Sequence, residues 1–104
     1  MVPAKRGEVW LADLGIAGKV RPVLVFSIPF ADNERALYSV IPHTTSQWGG
    51  CFEISTSVGW LKPGAFDVQG LRPVPGTTFI RRLGALDPAA MDEVARAVKL
   101  WLGI

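Results

Sequence analysis

The chain has 104 residues, enough for one hydrophobic core and too few for two. Apolar residues make up 49% of it, which excludes a disordered tail, and no apolar run approaches the ~20 residues of a membrane span. Eleven Lys and Arg against nine Asp and Glu leave a net charge of +2, which permits a polyanionic partner without demanding one.

In chain order, GEVWLADL (Gly7–Leu14) sets Val9, Leu11 and Asp13 against Glu8, Trp10 and Ala12, the alternation of a first strand. Residues 15–18 read as a loop. VRPVLVFSI (Val20–Ile28) is a nearly continuous apolar run, which predicts a second strand covered on both faces. Pro29 and ADNE end it. ALYSVIP (Ala36–Pro42) gives a third strand, and TTSQWGG leaves it as a loop. CFEIST (Cys51–Thr56) alternates as a fourth. A turn at Lys62-Pro63-Gly64 leads into a strand through Phe66 and Val68, and GTTFIRRLGAL (Gly76–Leu86) supplies the last.

The C-terminal segment carries the clearest pattern. Asp87 is placed to cap a helix and Pro88 suits its first position. Met91, Val94, Ala95, Val98, Trp101 and Leu102 then recur at helical spacing, with Asp92, Glu93, Arg96 and Lys99 largely on the other face, and Gly103 ends the run. These elements predict one mainly β domain over residues 1–104, of α+β type. Its strands fall within about 7–84 and its amphipathic helix at about 88–102.

Cys51 is the only cysteine, so no internal disulfide can form, and a buried or half-buried structural thiol is expected. His43 is the only histidine and has no ligand spacing around it for zinc. The expectation is a soluble, cytoplasmic protein without metal or other cofactor and without a membrane role.

RGEVWLADLG, a short Gly-bearing loop and then RPVLVFS closely resemble the opening of the MazF/PemK toxins, the endoribonucleases of bacterial toxin–antitoxin pairs. VIPHTTSQ resembles the exit of that family's third strand. DVQGLRPV resembles its later strand, and AAMDEVARAVKLWLGI its closing helix. The resemblance spans nearly the whole chain. It implies an SH3-like small barrel with an appended helix, a homodimer, metal-free cleavage of single-stranded RNA, and an antitoxin whose disordered tail covers the RNA site. The loop GIAGKV departs from the family in being short and rather apolar.

Metal-free RNA cleavage uses the 2′-hydroxyl as nucleophile. It needs a proton acceptor, a cation for the crowded phosphorane and a donor for the leaving oxygen. Arg21 matches the family's catalytic arginine before the proline. Its guanidinium fork suits two phosphate oxygens, and its charge suits electrostatic stabilisation better than proton abstraction. Thr45 matches the family's threonine, with Thr44 a competing alignment one residue away. His43 departs from the family. If the third strand continues past Pro42, His43 shares a face with Thr45 and brings a group that titrates near neutral pH. Lys19, Gln47, Trp48, Gln69 and Arg72 are candidate RNA contacts, Trp48 through stacking on an unpaired base. Each also has a plain reading: a surface cation, a turn-capping threonine, a strand-end histidine, a barrel-rim polar residue or a loop-anchoring tryptophan. Glu8 stands either to orient Arg21 or to face solvent.

Two other classes stay open. A non-catalytic toxin of the same fold, of the CcdB type, binds DNA gyrase through its C-terminal end, and LWLGI invites that comparison. A silent homologue binding only antitoxin or RNA is the variant of this reading. An SH3-like peptide module needs an exposed aromatic groove, and the tryptophans do not cluster in sequence.

Overall fold

The computed structural model describes residues 3–104. Seven strands form: β1 (Glu8–Asp13), β2 (Val20–Val25), β3 (Leu37–Thr44), β4 (Glu53–Thr56), β5 (Gly64–Asp67), β6 (Arg72–Pro75) and β7 (Phe79–Ala85). The predicted loop between β1 and β2 is a single helical turn, α1 (Gly15–Gly18), and the chain closes with α2 (Pro88–Leu102). The sheet runs β4-β5-β3-β2-β1-β7, with β6 paired to β3. All observed pairings are antiparallel. Among the described residues β4 and β7 do not pair, so the barrel-like sheet stays open.

Strand alternation divides the core in two. Val9, Leu24, Ile41 and Phe66 lie on one face and pack against Met91, Val94, Ala97 and Val98 of α2. Trp10, Ala12, Val23, Val25, Tyr38, Val40, Val74 and Phe79 form a second cluster on the other face. There the Tyr38 and Phe79 rings meet edge to face, with centroids 5.1 Å apart. Val23, Leu24 and Val25 are all fully buried, as a strand between two cores requires.

The helix has the anticipated ends. The Asp87 carboxylate accepts from the Ala90 N–H at 2.8 Å, and Gly103, at φ 73°, donates to the Lys99 carbonyl. The buried stripe is turned slightly from the one expected. Ala97 is buried where Ala95 is only half-buried, and Trp101 and Leu102 are exposed. The Trp101 ring rests beside Phe52 at 5.1 Å.

Two segments differ from the sequence reading. The strand through Phe66 ends at Asp67, whose side chain accepts from the Gln69 N–H and starts a 3-10 turn over Val68–Gly70. The following Arg72–Pro75 pairs with β3 from Leu37 to Val40. Cys51 is exposed in the turn before β4 and not buried, because the inward positions there go to Phe52 and Ile54.

β3 is the hub that positions the site. It pairs with β6 through Leu37–Val40, with β2 through Val40–Pro42, and with β5 through His43–Thr44. The strand therefore runs through Pro42, and His43 stands where β3 leaves β2 and takes β5 as its neighbour.

Candidate functional site

At that divergence the surface opens into a cleft of about 620 Å³. β2 contributes Arg21. Its Nε donates to the Gly18 carbonyl at 3.0 Å, so the α1 turn holds the guanidinium at the strand mouth. Lys19 sits in the same turn at φ 58°, the one non-glycine residue with positive φ among those described. Its N–H donates to the Gly15 carbonyl at 2.7 Å, and its carbonyl accepts from the Leu14 N–H at 2.9 Å. These two bonds close the turn and offset a backbone conformation that costs about 1–3 kcal/mol.

β3 contributes His43, which is 3% exposed and sits edge-on to Phe66 at 5.1 Å. Its Nε2 is buried with no hydrogen-bond partner among the described residues. Burial pushes the imidazole below its ordinary pKa, and the Arg21 charge pushes it further in the same direction. Both effects favour the neutral imidazole.

Thr44 and Thr45 both line the cleft. The Thr44 hydroxyl is engaged in its own turn, accepting from the Ser46 N–H at 3.1 Å and donating to the Ser46 carbonyl at 3.4 Å. Thr45 lies beyond the end of β3 and is exposed, and its hydroxyl makes no hydrogen bond among the described residues.

Of the residues singled out in the sequence, Lys19, Arg21, His43 and Thr45 thus share one cleft. Gln47, Trp48, Gln69 and Arg72 do not line it. The Gln47 Oε1 accepts from the Ser55 hydroxyl at 3.3 Å, which ties it to β4. Trp48 is 95% exposed, its loop held by the Glu53 carboxylate, which accepts from the Trp48 and Gly49 N–H groups. Gln69 lies in the 3-10 turn. Arg72 approaches Gly18, where a Cβ would stand 3.4 Å from its Nη1. Glu8 does not reach toward Arg21. Its carboxylate bonds the Arg82 Nε at 2.9 Å, the Trp10 indole and the Lys5 N–H. Burial alone would raise its pKa, but these three donors hold it below the ordinary value.

The cleft also holds two cations and an aromatic ring that carried no functional assignment in the sequence: Lys62, Arg81 and Trp60. The signal for Arg81 lay in strand alternation. It sits opposite Leu11, while its neighbour Arg82 sits opposite Trp10 and turns to Glu8. Trp60 and Lys62 come from the tip of the β4–β5 hairpin, which the pairing of His43 with Phe66 brings to the end of β3. Lys19, Arg21, Lys62 and Arg81 are four cations around one cleft, and no Asp or Glu lines it. Such a site concentrates anions. Among the described residues no three His, Cys, Asp or Glu side chains are grouped to hold a metal ion.

A family model described as the PemK-like, MazF-like toxin of type II toxin–antitoxin systems matches residues 5–102. The fold is similar to that of an endoribonuclease from a mycobacterial species solved with its cognate antitoxin. The two share 20% identity at a TM-score of 0.84, over 98% of this chain and 97% of that one. It is similar also to the Mycobacterium tuberculosis toxin MazF-mt6, with 22% identity and a TM-score of 0.80 over 93% and 97% of the two chains. A third likeness is to MazF from Deinococcus radiodurans, with 23% identity and a TM-score of 0.81 over 100% and 99%.

Proposed function

The chain belongs to the PemK-like, MazF-like toxin family of type II toxin–antitoxin systems, and we propose that it acts as an endoribonuclease that cuts single-stranded RNA at short sequence motifs without a metal ion. The observation that carries this reading is the meeting of Arg21 and His43 in one cation-lined cleft. The fold likeness to an endoribonuclease supports it.

In this reading the RNA backbone enters between the α1 turn and the β4–β5 tip. The Arg21 guanidinium, held by the Gly18 carbonyl, faces the scissile phosphate and stabilises the extra negative charge of the phosphorane. The exposed Thr45 hydroxyl donates to a non-bridging phosphate oxygen. The neutral His43 imidazole accepts the 2′-hydroxyl proton through Nδ1, the nitrogen that Gly64 does not cover, as that oxygen attacks phosphorus. The bond to the 5′ oxygen breaks, and that oxygen leaves with a proton returned from the imidazolium. The products are a 2′,3′-cyclic phosphate and a 5′-hydroxyl. Lys19, Lys62 and Arg81 draw in the flanking phosphates. A chain lacking the 2′-hydroxyl binds and is not cut.

The proposed partners are single-stranded RNA, a second copy of the chain in a homodimer, and a cognate antitoxin whose disordered tail occupies the same cleft. The proposed location is the cytoplasm. The test is cleavage of a long unstructured RNA in excess EDTA, with Arg21→Ala alongside. Discrete cuts ending in cyclic phosphate, lost in the variant, are the expected result. Absence of cuts by folded wild-type protein overturns the reading.

A further inference from the structure

Trp60 lies against Gly84 and also lines the cleft. A Cβ built on Gly84 would stand 2.5, 2.7 and 2.7 Å from the indole Cε2, Cδ2 and Cζ2. Cε2 and Cδ2 are the two atoms shared by the fused rings. Both are nearest together only when the approach is through the face of the ring, since perimeter atoms come first from any edge. The indole therefore lies flat on the backbone of β7, at the position where Gly84 pairs with Val9. The missing side chain is what allows this contact. Trp60 is still 37% exposed and lines the cleft, so the contact with Gly84 leaves part of the residue open to it.

The surroundings select the ligand. Leu61 and Leu83 are apolar cleft residues adjoining this pair, and Lys62 and Arg81 lie two and three positions from its members. A flat aromatic platform with apolar neighbours suits a planar, largely apolar ring. Four cations in the same cleft suit a ring that carries phosphate, and they disfavour a cationic ligand that would otherwise use an aromatic face.

We propose that Trp60, seated on Gly84, is the stacking platform for an unpaired nucleobase of the bound strand, and that this subsite contributes to the choice of sequence. The inference rests on the reading of the cleft as an RNA site, and it adds a base-reading element to residues that act on sugar and phosphate alone.

The test separates stacking from charge and binding from cleavage. A labelled 2′-O-methyl RNA of random sequence, which resists cleavage, and a chain of equal length built from abasic units are titrated by fluorescence anisotropy. Wild type, Trp60→Ala, Trp60→Phe and Gly84→Ala are compared, each first shown to be folded by circular dichroism. Trp60→Ala is expected to weaken binding of the base-bearing strand about tenfold and to leave the abasic strand unchanged. Trp60→Phe keeps most of the affinity. Gly84→Ala displaces the indole and weakens the base-bearing strand in the same selective way. Equal weakening of both strands, no weakening of either, or failure of wild type to prefer the base-bearing strand overturns the platform. Cleavage of unmodified RNA is read in parallel. Wild type that cuts RNA without a Trp60-dependent preference for bases loses the platform and keeps the nuclease. Wild type that shows the preference and never cuts loses the nuclease and keeps the platform.

Discussion

Gly64, two residues before the Phe66 that pairs with His43, packs against the imidazole with no room for a side chain between them. A Cβ at Gly64 would stand 2.7 Å from the imidazole Cε1 and 3.0 Å from Nε2, and closer still to the Thr44 carbonyl oxygen. The glycine is what lets the start of β5 close over the ring, and this closure accounts for the burial of Nε2 without a partner.

Gly64→Ala is therefore expected to destabilise the fold and to disturb the site together. The backbone oxygen of Thr44 cannot swing away as a flexible side chain does, so β5 or the imidazole must shift. Overpacking of this kind costs about 1–3 kcal/mol, read from the denaturant midpoint at unchanged slope. RNA cleavage is expected to fall further than the loss of folded protein explains. A variant as stable as wild type with full activity contradicts the placement of His43.

The chain has a single histidine, so its titration is read directly by NMR of the imidazole protons. Burial and then the Arg21 charge depress the His43 pKa in the folded protein. The unfolded chain binds its proton at about pH 6.5, so between the folded and unfolded values the unfolded state holds more protons. Stability is then fully present above about pH 6.5 and is lost as pH falls through that window. Cleavage is expected to rise as the ring deprotonates and to hold level through neutral pH. A folded-state pKa above 6.5 would contradict both expectations.

Asp87→Ala tests the terminal helix. It removes the acceptor for the Ala90 N–H and is expected to cost about 1 kcal/mol, a fall of about 4–8 °C in Tm for a domain of this size. Asp87→Asn keeps a capping oxygen and is expected to stay close to wild type. Scanning calorimetry of the three proteins decides it.

What the sequence disclosed follows the range of the interactions involved. The Asp87 cap, the proline after it and the spacing of Met91, Val94 and Val98 are local signals, and the helix stands where they put it. The apolar run at β2 and the entry of Arg21 just ahead of it are local too. Trp60 and Lys62 belong to a turn whose meaning depends on β5 pairing with the far end of β3, a register that no single segment encodes. β6 was hidden because a stretch containing Pro73 and Pro75 lacks the usual alternation, and among the described residues it is held as a strand by β3 alone. The difference between Thr44 and Thr45 turns on a hydrogen bond to Ser46 that forms only once the strand has ended.

In the proposed mechanism the chemistry turns on Arg21, and two substitutions divide charge from geometry. Arg21→Ala removes both charge and fork. Cleavage is expected to drop about 10²–10³-fold, the usual loss when a group aimed at developing charge is removed. Stability should change by no more than about 1 kcal/mol, since one hydrogen bond to the Gly18 carbonyl is lost at a half-buried position. Arg21→Lys keeps the charge and loses the planar fork. If charge alone were the contribution, Lys would restore most of the activity. If two phosphate oxygens are held at once, it restores little. The His43 resonance supplies the control. Its pKa should rise in Arg21→Ala, where the neighbouring charge is gone, and stay depressed in Arg21→Lys. An Arg21→Lys protein with a wild-type His43 titration and severely reduced cleavage would assign the loss to the guanidinium's geometry. Full activity in Arg21→Ala would remove Arg21 from the mechanism.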